Sequence, residues 1–139
     1  MYRHNTPKLN PKHRLSNSTS IFTVELKAIH ACFSDIAQRL PNTNYILLSD
    51  SLFSLTSLQD LCFTNPTSQR IRIVFHTISS IQSSATFVWV PRHVEFNLHD
   101  RVNQATKEAI RLPKITDSSP TPSYDLKNFY RASIPTIWK

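Results

Sequence analysis

The chain contains no glycine. Average usage of roughly 7% would predict about ten. Every turn that needs a positive φ must therefore be made by asparagine, aspartate or another side-chain-bearing residue, at a steric cost. Short reversals between elements become the weak points of whatever fold forms. Such a composition points to drift, truncation or a pseudogene-like origin rather than to selection for a very stable compact fold.

Within that constraint the length, 139 residues, suits one domain of ordinary size. Hydrophobic residues make up 40%, so a core is possible but not generous. The longest apolar runs fall far short of the roughly 20 residues that a membrane-spanning helix needs. The N-terminus lacks the apolar segment of a secretory signal. With Cys32 and Cys62 in apolar helical contexts rather than a CxxC pair, both read as small core residues in a reducing, intracellular setting, cytoplasmic or nuclear.

Residues 1–19 are polar and basic, with Pro7 and Pro11, and little order is expected there. From Ser20 onward Phe22, Leu26, Ile29, Phe33, Ile36 and Leu40 recur at helical spacing. Ser20 can cap that helix and Pro41 stops it. Tyr45-Ile46-Leu47-Leu48 reads as a short strand buried on both faces, as in a parallel sheet. Helices over about 51–62 and 67–82 follow, separated by Asn65-Pro66, the second carrying Ile71, Val74, Phe75 and Ile78. A second strand, Thr86 to Val90, ends at Pro91. The remaining elements are a helix over about 99–112, a proline-containing linker over 113–122 and a last helix over about 123–133. Strand, helices, strand is the order of a right-handed crossover, so the two strands should be parallel in an α/β layer.

The balance of charge is basic, 16 Lys+Arg against 9 Asp+Glu, for a net +7. That suits a polyanionic partner, because cations that neutralise phosphates release counterions. A solvated basic tail would give the same figure. Three side chains stand out by placement. Glu25 sits at the edge of the first helix's apolar stripe, about 60° from its centre at roughly 100° per residue, and a half-turned carboxylate needs a partner or a metal. Asp50 ends the first strand, where open α/β sheets place ligand groups; taken alone, such an aspartate is more often the cap of the next helix. His93 follows the second strand; alone, such a histidine is more often a surface residue than a catalyst.

In order, Ser20-Ile21-Phe22-Thr23-Val24-Glu25-Leu26, Leu48-Ser49-Asp50-Ser51, Trp89-Val90-Pro91-Arg92-His93-Val94 and Asn103-Gln104-Ala105-Thr106-Lys107-Glu108-Ala109 closely resemble the ribonuclease H domain of non-LTR retrotransposon polyproteins. The resemblance runs from residue 20 to the end, where Tyr124-Asp125-Leu126-Lys127 and Trp138 are like the segment that follows that domain. It implies a ribonuclease-H-like α/β fold, partial here, with two parallel core strands, flanking helices and the N-terminal three-stranded meander largely missing. The domain organisation implied is a basic segment over 1–19, a truncated ribonuclease-H-like domain over 20–112, and a linker with a C-terminal helix over 113–139.

The implied activity is hydrolysis of the RNA strand of an RNA–DNA hybrid, with Mg²⁺ as cofactor. Hybrid would be recognised through 2′-hydroxyls and groove shape rather than base sequence. By position, Glu25 corresponds to the helix carboxylate, Asp50 to the aspartate ending the central strand, and His93 to the mobile-loop histidine. Arg92 and Arg101 are the candidate phosphate contacts. The family's first aspartate, in an Asp-Gly-Ser-like motif, has no counterpart here. Its fourth carboxylate position is occupied by Asn103, whose amide brings no charge; Asp100 lies nearly one helical turn upstream. Glu95-Phe96-Asn97-Leu98 replaces a glycine-rich stretch. Two Mg²⁺ ions would bring +4 and the two remaining carboxylates −2, so a catalytically impaired domain is expected. Two alternatives stay open: a binding module without chemistry, and an unstable remnant or interaction piece that needs a partner to supply strands.

Overall fold

The computed structural model describes residues 13–39, 41–91, 97–117 and 120–137; the side chains at 97–99, 102, 103 and 134–137 lie outside that description. The elements are α1 (Ile21–Ile36), β1 (Asn44–Ser49), α2 (Leu52–Gln59), α3 (Pro66–Ser80), β2 (Ser84–Trp89), α4 (Asn97–Ile110) and α5 (Ser123–Ile137). They fall into two compact units, one formed by Met1–Ser16 with Glu95–Ser119 and the other by Asn17–Val94 with Pro120–Lys139. The second unit is mixed α/β: β1 and β2 form a two-stranded parallel sheet, in register from Asn44 opposite Ser84 to Ser49 opposite Trp89. The helices α2 and α3 make the connection between the strands.

Local chemistry explains where the helices begin. The Ser20 hydroxyl accepts from the Thr23 amide at 3.2 Å and so caps α1. The Asn65 side-chain Oδ1 accepts from the Thr67 and Ser68 amides at 2.8 and 3.3 Å, and Pro66 supplies the first helical residue of α3. The N-cap of α2 is Ser51, which leaves Asp50 just outside that helix.

The core lies between α1, α3 and the sheet. Leu26, Ile29, Phe33 and Ile36 of α1 pack with Ile71 and Ile78 of α3, Leu47 of β1, Ala85 of β2 and Leu55 of α2. The ring of Phe33 meets Phe87 at 5.2 Å and Phe75 at 6.0 Å between centroids, joining α1 and α3 to β2. Between α2 and α3 the buried positions are small and hydroxylic. The Ser57 hydroxyl donates to the Ser54 carbonyl at 2.7 Å and lies 3.5 Å from the Ser68 hydroxyl, which lets the two helices approach closely. Arg72 closes the end of α2. Its guanidinium donates to the carbonyls of Ser57 (2.8 Å), Leu58 (3.2 Å), Phe63 (3.4 Å) and Asp60, satisfying acceptors that the helix terminus leaves open.

Three expectations need correction. β1 is buried on one face only: Leu47 is in the core, but Ile46 and Leu48 are 71% and 43% exposed, and Val88 beside them on β2 is 38% exposed. An apolar run shows that a strand can be covered, and what covers it is decided by other elements. Cys62 is exposed rather than in the core, because α2 ends at Gln59 and the chain turns there, with the Cys62 amide donating to the Asp60 side chain at 2.9 Å. Cys32 is half-buried, and burial, followed by the nearby Asp35 charge, pushes its thiol up and keeps it protonated. Phe75, assigned to the apolar face of α3, is partly exposed.

In the other unit, Arg14 ties residues on either side of α4's sequence together. Its backbone exchanges hydrogen bonds with Thr116, at 2.8 Å to the hydroxyl and 3.0 Å from the amide, and its guanidinium donates to the Leu112 carbonyl.

The absence of glycine is visible at two reversals, where Asn42 and Gln82 adopt φ of 56° and 55°. Gln82 ends α3 in the position that glycine usually fills. The Ser83 amide donates to the Ile78 carbonyl at 3.2 Å and the Gln82 amide to the Ser79 carbonyl at 3.1 Å, the paired bonds of a Schellman end. Replacing Gln82 with glycine relieves the clash of its Cβ, and we expect stabilisation by about 1 kcal/mol in urea denaturation.

A second expectation concerns pH. Burial, and then the Arg70 guanidinium, push the His30 pKa below its ordinary value. The folded chain thus prefers neutral His30, and on acidification the unfolded chain takes up the proton first. The stabilising contribution is complete above the ordinary value of about 6.5 and declines as pH falls below it. Urea midpoints should drop between about pH 7 and about pH 5, and His30→Asn should flatten that drop.

Candidate functional site

Parallel pairing sends the carboxyl ends of β1 and β2 to the same edge of the sheet, the edge at which α/β folds hold their ligand groups. Asp50 is the first residue beyond β1 and is half-buried. Two hydrogen bonds fix its backbone. The Val90 amide donates to the Ser49 carbonyl at 2.9 Å, and the Trp89 indole N–H donates to the Asp50 carbonyl at 3.2 Å. The end of β2 therefore holds the segment that presents the carboxylate.

Glu25 lies in the second turn of α1, also half-buried. An aromatic cluster brings that part of the helix toward the end of β1. Phe22, one turn before Glu25, meets Phe53 at 4.8 Å and Phe63 at 5.8 Å, and Phe53 is in the first turn of α2, three residues after Asp50. The first turns of α1 and α2 are thereby packed together, and the two carboxylates belong to backbone segments at this shared end. Neither Glu25 nor Asp50 is free; each takes part in a polar or electrostatic interaction within the fold.

His93 and Arg92 lie outside the described residues. Asn103, Asp100 and Arg101 are on α4, which belongs to the other compact unit. Asp100 and Arg101 are exposed there, and the Asn103 side chain lies outside the described part. Among the described residues, no three His, Cys, Asp or Glu side chains gather as a metal-holding group. Two carboxylates without a third donor of that kind do not fit a pair of hard divalent ions, which would bring +4 against −2.

Sequence reasoning missed three residues that shape this end of the unit. Asp125, in the first turn of α5, is only 2% exposed and accepts from the Ser20 amide at 3.0 Å. Its carboxylate thus sits beside the beginning of α1, where a negative charge complements the helix dipole. The only signal available was its place in the Tyr124-Asp125-Leu126-Lys127 stretch. Trp89 was read as a strand residue and proves to brace Asp50. Arg72 had no signal, since its partners are backbone carbonyls distant in sequence.

No family model, curated protein or solved structure matches this chain. No helix among the described residues is long and apolar enough to cross a membrane.

Proposed function

We propose that this chain is a degenerate ribonuclease-H-like domain of retrotransposon ancestry. In this reading it contacts nucleic acid, RNA–DNA hybrid by resemblance, and hydrolyses it poorly or not at all. The observation that carries the reading is the position of Asp50 at the carboxyl edge of a parallel β1–β2 pair, with the Glu25-bearing helix packed at the same end through Phe22 and Phe53. Two of the motifs that resemble the family, Ser20 to Leu26 and Leu48 to Ser51, lie at the start of α1 and the end of β1, which supports this reading.

The charge supports the binding half of the proposal. A net +7 favours a polyanion, and affinity that arises from phosphate contacts falls steeply with salt. The donor set supports the catalytic half. Magnesium, when bound in this family, activates the attacking water and steadies the leaving oxygen. Here Glu25 and Asp50 are the carboxylates that remain, Asn103 stands at an acidic position, and the family's first aspartate has no counterpart. His93 is the residue proposed to assist proton transfer, and Arg92 and Arg101 the proposed phosphate contacts.

The test is a labelled RNA–DNA hybrid offered to the purified chain with Mg²⁺, with binding and cleavage followed separately. We expect binding at low salt that weakens steeply as salt rises, and cleavage at background, unchanged by Asp50→Asn. Cleavage that Asp50→Asn abolishes would overturn the assignment as degenerate. Absence of hybrid binding at low salt would overturn the nucleic-acid reading itself.

A further inference from the structure

A cavity of about 410 Å³ opens in the larger unit between α2, α3 and β2. Leu55, Ile71, Phe75 and Phe87 form apolar walls, and Trp89, 46% exposed, stands beside them. Thr56 and Gln59 bring neutral polar groups to the same space. The one charged side chain in the lining is Arg72, and its guanidinium is engaged by four backbone carbonyls. No described buried side-chain nitrogen or oxygen lacks a partner.

This lining selects for a flat, neutral group with a π face and a hydrogen-bonding edge. The aromatic side chains offer stacking surfaces, and the Gln59 amide can both donate and accept. The size of the space admits such a group with room to spare. Its position adds a second constraint, because the indole that lines the cavity is the one that donates to the Asp50 carbonyl. In the nucleic-acid reading the strand lies along the Asp50 edge, and its bases would then pass the opening beside Trp89.

We propose that the cavity receives one unstacked base of a nucleic-acid strand held alongside Asp50. The proposal rests on the nucleic-acid reading above and adds to it a contact with a base, where that reading invokes only backbone, groove shape and 2′-hydroxyls. Stacking on aromatic side chains is tolerant of sequence, so the site would favour the presence of a base over its identity. Trp89 acts here as a positioning residue. A base seated against its ring would bear on the same indole that braces the Asp50 segment.

The experiment uses the full chain carrying Trp138→Phe, which leaves Trp89 as the remaining indole of the two in the sequence. The probes are a fluorescein-labelled single-stranded oligodeoxyadenylate and a strand of the same length and phosphate charge with abasic central residues. We expect the adenylate strand to quench Trp89 emission and to bind about tenfold more tightly than the abasic one, within the range that base–aromatic stacking supplies. Thr56→Trp, made at an exposed lining position, should fill the space and bring adenylate affinity down to the abasic level, with abasic affinity unchanged. Trp89→Leu, which also removes the brace on the Asp50 segment, should lower adenylate affinity at least as far, and circular dichroism reports whether each variant folds.

Equal, salt-sensitive binding of the two strands would overturn the cavity proposal while the nucleic-acid reading stood. Failure of both strands and of hybrid to bind at low salt would overturn the two together. Self-association without nucleic acid, abolished by Thr56→Trp, would show a second copy in the cavity and also overturn the proposal.

Discussion

The contact among Phe33, Phe75 and Phe87 ties the sheet to α1 and α3. These rings come from α1, α3 and β2, with centroids between 5.2 and 6.4 Å apart. A pair of parallel strands has little stability of its own, since the pairing is weak per residue and the faces need covering. The rings supply that cover on one side, together with Leu26, Ile29, Ile71 and Ile78. With α1 and α3 held in place, β1 and β2 end at the same edge, and Asp50 follows from that arrangement.

Polar contacts then refine what apolar packing sets. Arg72 finishes α2, Asp125 meets the beginning of α1, and the Trp89 indole holds the Asp50 carbonyl. Each joins segments distant in sequence, and each fixes an element end rather than its middle. The candidate site is made of element ends, so its geometry depends on these contacts more than on the core. Burial of Asp125 illustrates the balance: a carboxylate removed from water is tolerable where a backbone amide and a helix terminus face it.

Much of the framework was legible in the sequence, for identifiable reasons. Ser20 announced the start of α1 because capping is a local interaction, whereas Asn65, read as part of a break, proves to cap α3. The spacing of Leu26, Ile29, Phe33 and Ile36 gave the buried face of α1, since helical periodicity and burial are tied by geometry. The lack of glycine anticipated residues such as Asn42 and Gln82 at positive φ. The one-sided burial of β1, the exposure of Cys62 and the role of Arg72 were not legible. All three depend on where remote segments come to rest, which composition and periodicity do not encode. For the site, the placement of Asp50 at a strand end was readable from the apolar run before it, whereas its brace from Trp89 needed the register of β2 against β1.

The uncovered face of the sheet carries a consequence for the chain's life in a cell. Ile46 and Leu48 of β1 and Val88 of β2 present branched aliphatic groups to water, on two strands that bear no charge and no proline. Those are the features by which strand edges usually discourage mismatched company. At the concentrations of a crowded ribosome-rich environment, newly made copies would compete between finishing their own fold and adhering to neighbours. Yield after synthesis would then depend on chaperone supply as much as on the depth of the folded state's free-energy well.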